Sequence, residues 1–100
     1  MYQQLLGKIA QILTKLHVPY MVIGGQAVLV YGEPRMTRDI DITLDADIDI
    51  LDKILLALSG TSFHPLPPDI RVFAKNARVL PIQDDATKIR VDLIFSFSPY

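Results

Sequence analysis

Asp39 and Asp41 stand one residue apart in the run Arg35-Met36-Thr37-Arg38-Asp39-Ile40-Asp41-Ile42, which alternates as a β-strand does. Alternate side chains of a strand leave the same face, so the two carboxylates point together, about 7 Å apart at the backbone. Like charges at that spacing repel, and a divalent cation is the usual reason to build such a pair. Upstream, Ile23-Gly24-Gly25-Gln26-Ala27 puts paired glycines where a strand should meet a helix. Such a turn lets phosphate oxygens approach backbone N–H groups. Together the two features point to chemistry on a nucleotide phosphate held through metal.

Other elements must position these residues. Leu5, Leu6, Ile9, Ile12, Leu13 and Leu16 recur at helical spacing and predict an amphipathic helix over about residues 2–16, ended by Pro19. Tyr20-Met21-Val22-Ile23 reads as a buried strand. Gln26 to Tyr31 reads as a short second helix closed by Gly32, and 33–38 as a polar connection. Over 39–45, Asp39, Asp41 and Thr43 face one way and Ile40, Ile42 and Leu44 the other. Asp47 suits an N-cap, with Ile48, Leu51, Ile54, Leu55 and Leu58 as the core stripe of a third helix ended by Gly60. Three prolines predict a loop over 61–70. Strand-like runs follow at about 70–74 and 78–82, with Lys75-Asn76 as a hairpin turn between them. The last strand is Lys88 to Phe95, with Asp92 on its polar face beside Lys88 and Arg90. This mixture predicts one α+β domain over 1–100, a twisted mixed sheet with helices mainly on one face and a site on the other.

If the two aspartate-bearing strands are neighbours, Asp39, Asp41 and Asp92 converge. Magnesium takes hard oxygen ligands and usually keeps waters and substrate phosphates in its shell. Three aspartates suit one or two Mg²⁺ ions, with Mn²⁺ as a substitute. In a two-metal arrangement one ion holds the triphosphate and the other lowers the pKa of the attacking hydroxyl. Asp92 has a plainer reading as the partner of Arg90 or Lys88. A charge within an otherwise apolar strand favours the metal.

The string Gly-Gly-x-Ala, then Arg-x-Thr-x-Asp-Ile-Asp-Ile, with a later strand aspartate at Asp92, resembles the nucleotidyltransferase fold of the DNA polymerase β superfamily. It looks most like the small bacterial and archaeal members, the minimal and abortive-infection toxin types, over about residues 5–97. The resemblance implies that Gly24 and Gly25 begin the helix that cradles the β- and γ-phosphates. It implies that Asp39, Asp41 and Asp92 ligate metal, Asp92 also activating the acceptor hydroxyl. Arg35, Thr37 and Arg38 match the lead-in to the aspartates and join the nucleotide-binding set. Gly25 stands where serine is common, which removes one hydroxyl contact to phosphate. The resemblance also implies a domain without most of the C-terminal region that many relatives use for base or acceptor.

The remaining features narrow the field. A net charge of −1 argues against a dedicated nucleic-acid binder. The absence of cysteine removes disulfides, thiolate zinc sites and cysteine nucleophiles. Asp45-Ala-Asp47-Ile-Asp49 imitates a calcium loop, yet Ile50 stands where glycine is needed and Leu56 where glutamate is needed. His17 and His64 lack ligand spacing, and neither a Ser-His-Asp set nor a Gly-Lys-Ser/Thr loop is present. Half the residues are hydrophobic and the mean hydropathy is +0.29, which suggests a patch covered by another protein or a second copy. No membrane span or leader is legible, so a cytoplasmic location is the default. The expected activity moves a nucleoside monophosphate from an NTP to a hydroxyl on a protein, tRNA or small molecule, in family terms within a toxin–antitoxin system. The alternative is a non-catalytic nucleotide-binding or antitoxin-type subunit of the same fold.

Overall fold

Ile40, Ile42 and Leu44 are buried on one face of a strand, while Asp41 and Thr43 between them remain partly exposed. That alternation is built into the centre of a mixed sheet. The structure, a computed structural model, describes residues 2–22, 27–30, 33–36 and 39–96. Its elements are α1 (Tyr2–Lys15), β1 (Tyr20–Val22), β2 (Ala27–Val30), β3 (Glu33–Met36), β4 (Asp39–Leu44), a 3-10 turn (Ile48–Ile50), α2 (Leu51–Leu58), β5 (Phe63–Pro65), α3 (Ile70–Ala77), β6 (Val79–Asp84) and β7 (Arg90–Phe95). Among the described residues, five strands form one sheet in the order β1-β4-β7-β6-β5, and β2 and β3 form a separate antiparallel pair. Only β4 and β7 run parallel within the larger sheet. The chain is α+β.

The core forms where the α1 stripe of Leu5, Ile9 and Leu13 and the α2 stripe of Leu51, Ile54 and Leu58 meet the apolar face of the sheet. The sheet contributes Ile40, Ile42, Leu44, Leu80, Ile82, Val91, Leu93 and Phe95. Each such side chain contributes about 1.5–3 kcal/mol by leaving water. Ala74 of α3 is buried in the same cluster. The helices α1 and α2 therefore cover the apolar face, and the partly buried Asp41 and Asp92 lie on the other.

Several elements differ from the sequence reading. Within the helix expected over 26–31, the described residues Ala27–Val30 are strand β2, paired with β3 in the stretch expected as a connection. Two valines in four residues, stiff at χ1, suit a strand. The run at 70–74 is helix rather than strand. Ile70 and Ala74, one turn apart, face the core, and the expected hairpin turn Lys75-Asn76 lies inside α3. Arg78, at φ 58°, closes that helix in the left-handed conformation. Phe63–Pro65 is an edge strand within the expected loop, a position where proline is tolerated. The third expected helix begins as a 3-10 turn. Asp47 caps it as foreseen, accepting from the Ile48 N–H at 2.7 Å, and the same oxygen takes Arg78 Nη1 at 2.8 Å.

Asp84 is the buried charge that the sequence reading passed over. Its carboxylate accepts from the Ser62 hydroxyl, the Thr87 N–H at 2.9 Å and the Thr87 hydroxyl at 2.7 Å. Burial pushes its pKa up, but these hydrogen bonds and the charge of Lys8 outweigh burial and hold it below the ordinary value. A lowered folded-state pKa contributes stability above the unfolded-state value, and that stability is lost as pH falls through the folded one. Asp84→Ala should therefore cost about 2–3 kcal/mol at pH 7 in denaturant titration. The gap from wild type should narrow in acid, below about pH 4. An equal gap at pH 7 and pH 2.5 would refute the assignment.

Candidate metal and nucleotide site

The parallel pairing of β4 with β7 sets Asp41 directly opposite Asp92 and Asp39 opposite Arg90. Neighbouring strands lie about 4.8 Å apart, so two carboxylate-bearing residues occupy adjacent places across the ladder. Their orientation follows from the pleat. Ile40, Ile42, Val91 and Leu93 point into the core, and Asp41 and Asp92 leave the other face. Both are partly buried rather than free in solvent. At about 5 Å, two such charges repel by roughly 0.8–3 kcal/mol for effective dielectrics between 80 and 20.

A neighbouring cation offsets that repulsion. Arg90 Nε donates to Asp92 Oδ1 at 2.9 Å, with the Asp92 side chain 19% exposed and that of Arg90 44%. The plainer reading of Asp92, as the partner of Arg90, is thus realised. Lys88 is not in that pair; it lies in the preceding turn at φ 62°. Across the other edge of β7, Gln83 stands opposite Arg90 and buried Pro81 opposite Asp92. The Gln83 amide donates to the Lys88 carbonyl at 3.1 Å.

The sequence-derived site is therefore brought together in part. Asp41 and Asp92 are neighbours. Asp39 lies on the same strand two positions earlier, and its side chain is outside the described residues. Arg35 is on β3 opposite Val28, with its side chain likewise outside. Gly24, Gly25, Thr37 and Arg38 lie outside the described residues altogether. Over Ala27–Val30, where the phosphate-cradling helix is expected to run, the described chain is strand.

The donor chemistry fits a hard divalent ion. Among the described residues, no three of His, Asp or Glu gather as a metal centre. Asp41 and Asp92 supply two carboxylates, which suits Mg²⁺, an ion commonly held by one or two carboxylates with water and phosphate completing its octahedron. Imidazole is not part of the arrangement: the described partner of His64 is Asp85. No protein-family model matches the chain, and no curated protein matches it. Of the described residues, no helix is long and apolar enough to cross a membrane.

Proposed function

We propose that this chain is a metal-dependent nucleotidyltransferase with the nucleotidyltransferase fold of the DNA polymerase β superfamily. The observation that carries the proposal is the register of Asp41 against Asp92 on adjacent parallel strands, with Asp39 two residues before Asp41. Asp39, Asp41 and Asp92 hold the metal, which when bound neutralises the triphosphate and acidifies the attacking hydroxyl. Asp92 takes the acceptor's proton as the hydroxyl oxygen bonds to the α-phosphorus and pyrophosphate leaves. The strands supply position and fixed charge rather than a covalent nucleophile. Gly24, Gly25, Arg35, Thr37 and Arg38 contribute nucleotide contacts, and the acceptor is a hydroxyl of a protein, tRNA or small molecule in the cytoplasm.

A second reading is favoured by one observation. Tyr20, Met21 and Val22 are 39%, 65% and 42% exposed on β1, at one edge of the sheet. That apolar strip supports a subunit that binds nucleotide and docks on another chain without turnover, as in a toxin–antitoxin pair. One experiment separates the two. Incubation with each α-³²P-NTP, Mg²⁺ and cell lysate should label an acceptor under the first reading. Mg²⁺-dependent NTP binding with no labelled acceptor would favour the second.

A further inference from the structure

Asp92 is the carboxylate the proposed reaction needs, and it is already engaged. Arg90 Nε holds Oδ1 at 2.9 Å. A guanidinium and a divalent cation are rivals for one carboxylate, since each offsets the same negative charge. The rivalry is adjustable because the two residues differ in burial. The Arg90 side chain is 44% exposed, whereas that of Asp92 is 19% exposed. The β7 backbone of Arg90 is paired on both sides, opposite Asp39 and opposite Gln83, so its side chain can turn while its anchor stays in place. The Gln83 amide donates instead to the Lys88 carbonyl, so it does not compete for Asp92. A guanidinium also leaves two amino groups beyond Nε, a fork that matches phosphate oxygens.

We propose that Arg90 is the built-in counter-ion of the carboxylate pair. It occupies Asp92 before metal arrives and keeps free divalent cation weakly bound. When a nucleotide enters, its phosphates offer the guanidinium a new partner, and Asp92 is released to the ion that travels with them. Arg90 is on this account a positioning residue that makes metal loading depend on nucleotide. The inference rests on the metal-dependent reading above.

The test is Mn²⁺ titration of the full chain followed by electron paramagnetic resonance, with and without a non-hydrolysable ATP analogue. Without nucleotide, Arg90→Gln should bind Mn²⁺ about tenfold more tightly than wild type, since a rival hydrogen bond and a repelling charge are both removed. Arg90→Lys should fall between them, because it keeps the charge and loses the fork. Adding Asp92→Asn to Arg90→Gln should erase the gain, and circular dichroism should show all variants folded. With nucleotide, wild type and Arg90→Gln should converge in Mn²⁺ affinity. A gain of less than twofold in Arg90→Gln, while wild type binds Mn²⁺ with nucleotide, overturns the role of Arg90 alone. Failure of both proteins to bind Mn²⁺ even with nucleotide overturns the metal reading and this inference with it.

Discussion

Asp41→Asn combined with Asp92→Asn is expected to abolish Mg²⁺-dependent NTP binding in isothermal titration and to lower any transfer by about a thousandfold or more. Asparagine keeps the shape of each side chain and removes only the charge. Both positions are partly buried on the face of the sheet opposite the packed core. The double variant loses a like-charge pair set directly opposite across the ladder and, with it, the partly exposed Arg90–Asp92 ion pair, two small effects of opposite sign. Its thermal midpoint should therefore stay close to that of wild type while binding disappears. Loss of binding at a nearly unchanged midpoint separates a functional carboxylate pair from a structural one. Asp39→Asn, made alone, asks whether the third aspartate contributes. NTP binding that stays Mg²⁺-dependent and undiminished in the double variant would remove Asp41 and Asp92 from the site.

The second large effect is on stability. Leu93 stands on β7 directly after Asp92, opposite Ile42 on one side and Leu80 on the other, and it is 1% exposed. Leu93→Ala should cost about 2–5 kcal/mol, the lost transfer energy plus a cavity that central strands cannot close. A domain of this size changes its midpoint by about 4–8 °C per kcal/mol, so the melt should move far. Urea titration should show a lower midpoint at an unchanged slope. Leu56→Ala is the control: Leu56 is 77% exposed on α2, and its loss should change stability by no more than about 0.5 kcal/mol. An unchanged midpoint for Leu93→Ala would mean that β7 is not a central strand.

What was legible in the sequence had a strong period. The fours of Leu5, Ile9 and Leu13, and the twos of Ile40 through Leu44, each have one buried face and one more exposed, and pattern reports that directly. The stripe of α2 and the cap at Asp47 were readable for the same reason. Where composition and context disagreed, context won. Ile70-Arg71-Val72-Phe73 has strand-like residues, yet it is helical because one turn of it, Ile70 and Ala74, can reach the core. Ala27–Val30 is too short for its period to be read, and it pairs with β3 instead of coiling. Half of the site, the Asp-x-Asp strand with its polar face, could be read locally. The partnership of Asp41 with Asp92 could not, because register across a parallel pair is set by packing between distant segments. The Arg90 contact was within reach of reasoning, since residues two apart on a strand share a face. Asp84 had a signal as well: a hydroxyl residue, Thr87, three positions on, the local pattern of a carboxylate-closed turn.

Strand β7 is inserted between β4 and β6, yet it comes from positions 90–95, after every other described element has been laid down. Until it arrives, the layer it completes is two separate pieces, β1 with β4 and β5 with β6, with nothing joining them edge to edge. A nascent chain emerging from the ribosome thus carries Asp41 long before it acquires Asp92. Closing a loop of this length is entropically costly and belongs among the slow steps of folding. Assembly of the carboxylate pair is in this way tied to the docking of β7, and a chain released before residue 90 would hold Asp41 without Asp92.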